Sequence, residues 1–256
     1  MKNSMIFKFS IKDRGEMMKK LVDQWDKAAK KYTQDQEQSD FVESNKRVVK
    51  ARFQEMSGKK VLDLGCGYGY YTDYFQNIGA DVIGVDGSAN MIHIARSRYE
   101  NCTFDICDIT ENLPYENESY DLIFCNQVLM DVENIEKVFS ECYRVLKPGG
   151  IFYYSIVHPA FYDSEWVKDK KGFCYGKTIS SYIEPYSFTN EFWGKTEHFH
   201  RSLAYYLNAT AEQGFSLRHT EEPVSYDGVT KNKDLPLFFF AEYEKLSKKT
   251  ISQNKK

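Results

Sequence analysis

Apolar residues in the first part of the chain recur at helical spacing. Leu21, Val22, Trp25, Ala28, Ala29 and Tyr32 fall on one side of a helix within a polar stretch from Glu16 to Met56. A second helix is predicted over 41–55, and Ser57-Gly58 breaks it. From Lys60 the texture changes to short, continuously apolar runs. These predict strands over 61–64, 82–85 (closing on Asp86), 102–106, 120–125 and 151–157. Helical patterns lie between them: 70–78 closed by Gly79, a helix capped by Ser88 and running to about Tyr99, and 134–146 stopped by Pro148-Gly149-Gly150. Strands that alternate with helices and are apolar throughout belong in a parallel sheet covered on both faces.

From His158 the alternation stops. The following stretch is rich in aromatic residues, among them Trp166, Tyr182, Tyr186, Phe188, Trp193 and Phe199. A helix over 202–212, ended by Gly214, and two closing strands over 215–220 and 235–241 then complete the pattern. The expectation is an α/β protein: a doubly wound, seven-stranded, mostly parallel Rossmann-like sheet with N-terminal helices and a cap inserted after the fifth strand. Residues 1–56 form the helical leader over the site. Residues 57–157 and 201–243 form the core, 158–200 an aromatic-rich cap on the substrate side, and 244–256 a polar tail.

Composition narrows the partners. A chain of 256 residues is long enough to bury a sizeable core. Its net charge of −3 lacks the basic excess that phosphate binding requires, so no nucleic-acid partner is expected. The lysine pairs 19–20, 30–31, 248–249 and 255–256 read as solvated termini. None of the six cysteines forms a CxxC pair, so no metal site is expected and the thiols read as reduced and cytoplasmic. No apolar run approaches the roughly 20 residues that span a bilayer, and residues 1–15 do not resemble a signal peptide. No membrane partner is expected, and the chain reads as a monomer or homodimer.

The chemistry concentrates at the strand ends. Val61-Leu62-Asp63-Leu64 runs into Gly65-Cys66-Gly67-Tyr68-Gly69 and then a helix. Glycines there let a backbone bend sharply and approach a ligand closely. In an open α/β sheet, ligands bind outside the carboxyl ends of the strands. Asp86 ends the second strand at about the 20-residue spacing suited to ribose hydroxyls. Asp108 follows the third strand, where an acid can meet an adenine amino group, and Asn126-Gln127-Val128-Leu129 follow the fourth. One nucleoside would touch these ends in order.

In these motifs the chain resembles the class I S-adenosylmethionine-dependent methyltransferases, in particular their small-molecule group. The resemblance covers about Lys60 to His158 and rests on VLDLGCGYG, VIGVDGSANMIHIAR, FDICDITENLPYENESYDLIFCNQVL and YRVLKPGG in that order; WDKAAKKYTQ is similar to the helix that covers the cofactor. It implies S-adenosylmethionine as cofactor, with S-adenosylhomocysteine as product, and methyl transfer to a small-molecule oxygen, nitrogen or carbon acceptor. Gly65, Cys66 and Gly67 would border the methionine part, and Asp63 would orient its amino group. Asp86 and Gly87 would hold the ribose, and Met91 would pack under the adenine. Asp108 and Ile109 would read the adenine edge, Asn126 would line the methionine side, and Tyr32 would close over it. A nicotinamide dinucleotide fits less well. Its fingerprint is GxGxxG, whereas this loop is GxGxG followed by a bulky Tyr70, and Asp63 would repel a pyrophosphate.

Methyl transfer needs chiefly orientation and exclusion of water, with a general base where the acceptor carries a proton. His158, directly after the fifth strand, is the first candidate; His200, before the Arg201-Ser202 helix start, is the second, and similar proteins often carry a His-Arg pair there. Each has an alternative as a hydrogen-bonded or capping residue. Many relatives carry a histidine shortly after the fourth strand, but here Met130-Asp131-Val132 occupies the region. The Asn/Asp-Pro-Pro-aromatic motif of amino-methyltransferases is also absent after Phe124. The aromatic cap reads as its own core, as the wall of a pocket for a flat or cationic acceptor, or as both. Two competing functions remain: a non-catalytic cofactor-binding module, and an RNA or protein methyltransferase.

Overall fold

Seven strands form the central sheet in the order β10-β11-β5-β4-β1-β2-β3. The computed structural model describes residues 11–36 and 39–247. Residues 1–10 of the leader and the lysine pairs 248–249 and 255–256 lie outside that range. In chain order, the core elements are α1 (Ile11–Gln36), α2 (Asp40–Arg52), β1 (Lys60–Leu64), α3 (Tyr70–Asn77), β2 (Asp81–Asp86), α4 (Ala89–Arg98), β3 (Thr103–Ile106), β4 (Tyr120–Asn126), α5 (Ile135–Val145) and β5 (Leu146–Val157). Two hairpins follow: β6 (Glu165–Lys168) with β7 (Cys174–Thr178), and β8 (Tyr186–Asn190) with β9 (Thr196–His200). The chain then returns through α6 (Leu203–Glu212), β10 (Phe215–Glu221) and β11 (Phe238–Lys245).

β1 through β5 pair in parallel, while β11 pairs antiparallel to both β5 and β10. The continuous apolar runs follow from burial on both faces, and β4 shows it residue by residue. Ile123 and Cys125 pack into a core with Phe139 and Cys142 of α5 and Tyr206 of α6. Leu122 and Phe124 point the other way, into a core with Val49 of α2, Phe53 just beyond its end and Phe75 of α3. Alternate side chains along one strand thus serve two layers of helices.

Three elements differ from expectation. Pro148-Gly149-Gly150 does not precede the fifth strand but loops out of it: Tyr120 pairs with Leu146 and Leu122 with Ile151, so the ladder resumes beyond the bulge. β11 runs to Lys245, into the stretch expected as a polar tail. Its last residue is buried because the Lys245 ammonium donates to the carbonyls of Tyr143 and Leu146 at the end of α5, both at 2.8 Å. The aromatic stretch after His158 holds two antiparallel hairpins, which the sequence pattern did not disclose. All six cysteines are free. No helix among the described residues is long and apolar enough to cross a membrane.

Candidate functional site

The carboxyl ends of β1, β2 and β4 open into a cavity of about 1100 Å³. Its roof comes from elsewhere in the chain: Leu21, Trp25 and Tyr32 of α1, and Phe188, Trp193 and His198 of the second hairpin. α1 is fastened in two directions. Asp26 accepts from Ser88 Oγ and Asn90 N at the start of α4, while Gln24 Oε1 accepts from Glu197 N of β9 at 2.7 Å. Trp193 packs edge-on against Tyr32, ring centres 4.9 Å apart, and also contacts Trp25. The leader and the insertion therefore close over the sheet edge together.

At the sheet edge, the glycine loop takes the bend its residues permit. Gly65 and Gly67 have φ of +75° and +53°, a region that disfavours side chains. At Gly65 the approach is also close, because an added Cβ would lie 2.4 Å from Val128 Cγ2. Asp86 stitches the loop to β2: Oδ2 accepts from Gly67 N at 2.9 Å and Oδ1 from Ser88 N at 2.8 Å. Burial raises its pKa, and these two bonds partly restore the charged form. Asp63 is buried at the end of β1 and accepts from Thr72 Oγ1 at 2.6 Å. Burial pushes its carboxyl up to about 7 against the Thr72 bond, and the neighbouring Asp86 adds to the shift. Asp108 accepts from Thr110 N and Thr110 Oγ1, which holds its carboxylate at the cavity wall. Burial keeps the Cys66 thiol well above its ordinary pKa, so it is neutral and no nucleophile.

Every residue expected around a cofactor lines this one cavity: Tyr32, Asp63, Gly65, Cys66, Gly67, Asp86, Gly87, Met91, Asp108, Ile109 and Asn126. The two histidines expected at the reaction centre are not among its lining residues. His158 is buried at the end of β5, where Nε2 lies 2.7 Å from Glu222 Oε1 and Nδ1 accepts from Ala160 N. His200 is stacked on Tyr186, with its Nε2 3.0 Å from the Tyr182 carbonyl. Both are held by local partners within the strand-end loops and the hairpin. Chain position put them near the sheet edge, but their side chains are spent on the architecture around it.

Two residues that sequence reasoning did not place in the site do line it. β4 ends in a single 3-10 turn, Leu129–Asp131, and Asp131 from that turn meets His198 from β9. Their side chains approach to 3.2 Å between Oδ1 and Nδ1. The period-two pattern of β9 buries Thr196, His198 and His200 on one face. That alternation was visible in the sequence, but nothing in it said that the middle histidine would reach the turn after β4. Gln127, which also lines the cavity, has φ of +58°, and its side chain donates to Ser155 Oγ at 2.9 Å. Strained non-glycine residues of this kind gather where a ligand or a reaction dictates the backbone.

The lining suits a cationic, hydroxyl-bearing ligand. Asp63 and Asp86 are not within ion-pair distance of any Lys or Arg among the described residues. A sulfonium and an ammonium supply charge to such carboxylates, ribose hydroxyls supply donors, and Met91 and Ile109 offer an apolar bed for a base.

Comparison with known proteins agrees with this geometry. A profile for the methyltransferase domain matches residues 62–154. The mitochondrial ubiquinone biosynthesis O-methyltransferase of Rattus norvegicus is 34% identical over 110 residues, which covers 40% of this chain and 32% of that protein. The ubiquinone biosynthesis O-methyltransferase of Coxiella burnetii is 32% identical over 109 residues, covering 41% of this chain and 47% of its own length. The chain thus spans between about a third and a half of the length of these curated relatives. The crystal structure of an S-adenosylmethionine-dependent methyltransferase from Mesorhizobium loti superposes with a TM-score of 0.69 at 24% identity, covering 82% of this chain and 99% of that one. Residues 62–154 thus match a methyltransferase domain, and the sheet order and glycine loop share the fold of a solved S-adenosylmethionine-dependent methyltransferase.

Proposed function

We propose that the protein transfers the methyl group of S-adenosylmethionine to a small-molecule acceptor held in the same cavity. The observation that carries this reading is the cavity's size and continuity. Pockets for a single small ligand run to about 300–1,000 Å³. A volume of about 1100 Å³, with carboxylates at the strand tips and an aromatic chamber beyond, leaves room for a second molecule beside the cofactor.

In this reading Asp86 accepts from the ribose hydroxyls through the free lone pairs of its two oxygens. Asp63 faces the ammonium. Asp108 and Ile109 meet the adenine edge over Met91, Asn126 and the Gly65–Gly67 loop border the methionine part, and Tyr32 closes above. The cofactor supplies an activated methyl electrophile. The chain's own contribution is to orient two reactants and to exclude water by closing α1 and the second hairpin over them.

The alternatives draw less support. A purely cofactor-binding module would have its insertion packed against the cofactor, whereas here the cavity continues past Asn126 to Tyr162, Phe188 and Trp166. An RNA acceptor calls for a basic trough, but the lining carries eight acidic side chains against three lysines. Calorimetry with S-adenosylhomocysteine, followed by tritium transfer from labelled cofactor into fractionated metabolite pools, tests the proposal. No heat on titration would sink it; binding with label passing only into RNA or protein would move it to the other class of acceptor.

A further inference from the structure

We infer that Asp131 and His198 form the proton-accepting pair of the acceptor subsite, and that the methylated atom is a hydroxyl or amine nucleophile that must give up a proton. This rests on the methyl-transfer reading above and names what the acceptor brings to it.

The pair is assembled from two parts of the fold. Asp131 sits in the turn beyond β4, five residues past Asn126, and His198 on the inserted hairpin. The turn is held from outside: Arg201 Nη2 donates to the Val132 carbonyl at 2.8 Å and also to that of Glu133. The imidazole packs beside both Tyr162 and Phe188, with interplanar angles of 25° and 23°. This is a built arrangement: both side chains are restrained, and both line the cavity.

Their polar atoms are nevertheless unfinished. Asp131 Oδ1 and His198 Nδ1 are buried and, although 3.2 Å apart, are not aligned as a hydrogen bond, and neither has another partner. Buried polar atoms without a partner are uncommon, because each has given up its bonds to water for nothing in return. Two of them side by side on a cavity wall call for a ligand that donates a proton. A proton-free nucleophile would leave both as they are.

The electrostatics point the same way. Burial pushes His198 down to about 4, which keeps the imidazole neutral and a weak base. Burial and the charge of Asp86 raise Asp131 well above the ordinary carboxylate range, so its ionised form is the stronger base of the pair and the destination of the proton. The groups facing the pair are Asp86 from β2, Tyr32 from α1, Tyr162 from the loop after β5, Tyr206 from α6 and Thr196 from β9, whose Oγ1 lies 3.4 Å from His198 Nε2. The phenols of Tyr32 and Tyr162 are raised above their ordinary pKa by burial and stay protonated. In the transfer, the acceptor's O–H or N–H proton passes to the Asp131–His198 pair. Its lone pair bonds to the methyl carbon, and the electrons of the broken carbon–sulfur bond return to sulfur.

The test uses the full chain with S-adenosylmethionine as donor and three probe acceptors: 4-methylcatechol, phenethylamine and pyridine, whose nitrogen carries no proton. S-adenosylhomocysteine affinity is measured first for the wild type, His198→Gln and Asp131→Asn, and is expected to agree within about twofold. Expected next are methylation of 4-methylcatechol or phenethylamine, none of pyridine, and a rate that rises with pH through one ionisation. His198→Gln should lower that rate about 100-fold, and Asp131→Asn should lower it as much and flatten the pH profile. Which probe turns over separates a hydroxyl from an amine acceptor. Four results would overturn the inference: a His198→Gln enzyme as fast as wild type, pyridine methylated as fast as the other probes, neither proton-bearing probe methylated by a protein that binds S-adenosylhomocysteine, or a loss in His198→Gln matched by its loss of S-adenosylhomocysteine affinity. A wild type that does not bind S-adenosylhomocysteine would instead sink the underlying reading.

Discussion

The two ends of the cavity are built by different means. At the sheet end, Asp63, Gly65, Asp86 and Asn126 stand at the tips of adjacent parallel strands, and a ladder of backbone hydrogen bonds sets their spacing. At the far end, Trp25, Asp131, Trp193 and His198 come from a leader helix, a 3-10 turn and a hairpin, and side-chain contacts alone set their spacing. A strand tip is rigid because its whole strand is. A wall made of a helix and a hairpin lasts only while those pieces stay docked. On the proposed reading the first end holds the cofactor and the second the acceptor.

Mutations can break or sharpen that contrast. The largest effect is expected at the sheet end. Asp86→Ala removes a buried carboxylate that holds Gly67 N and Ser88 N, and calorimetry should show S-adenosylhomocysteine bound about 100-fold more weakly. Equal affinity would mean that the strand tips do not hold the cofactor.

Asp63 should give a smaller effect with a distinctive pH dependence. Its folded pKa of about 7 lies above the ordinary 3.8, so the carboxyl is retained protonated in the folded chain while the unfolded chain ionises. Its contribution to stability is fully present below about pH 4 and is lost as pH rises through about 7, a difference on the order of 4 kcal/mol. Asp63→Asn should therefore raise the melting temperature of the ligand-free protein at pH 8. Because a cationic ligand favours the ionised carboxylate, wild-type affinity should strengthen up to about tenfold from pH 6 to 8. The variant should lose that pH dependence, and a variant that keeps it would remove Asp63 from the ligand's ammonium.

Trp193→Ala tests the docked end. It removes the contacts that join the second hairpin to Trp25 and Tyr32. Cofactor affinity should fall only about threefold, while hydrogen exchange in α1 speeds up. A loss as large as that of Asp86→Ala would erase the distinction between the two ends. The smallest effect is expected for His158→Gln, whose partners are Glu222 and Ala160 rather than the cavity. S-adenosylhomocysteine affinity and methyl transfer should stay within about twofold of wild type; a larger loss of transfer would return His158 to the reaction centre.

Residues 60–157 were legible because their chemistry is local. Val61-Leu62-Asp63-Leu64 followed by glycines is at once a buried strand, a bend and a carboxylate at a strand tip, and neighbours within a few residues dictate all three. The course of 158–200 was not legible. Its aromatic residues signalled burial but no period long enough to mark strands, and β6 to β9 are only four or five residues each. His158 and His200 had the more suggestive positions, yet their rings were taken by Glu222 and Tyr186.

The doubly wound sheet, the glycine bend and the carboxylates at successive strand tips could all be read from residue order, because periodicity and turn chemistry act between near neighbours along the chain. Long-range packing settled that the Asp131 side chain lines the cavity and that His198 comes from an inserted hairpin to meet it. That meeting depends on two surfaces finding each other across the fold, and no local pattern of residues encodes which side chains such a contact will leave facing the space between them.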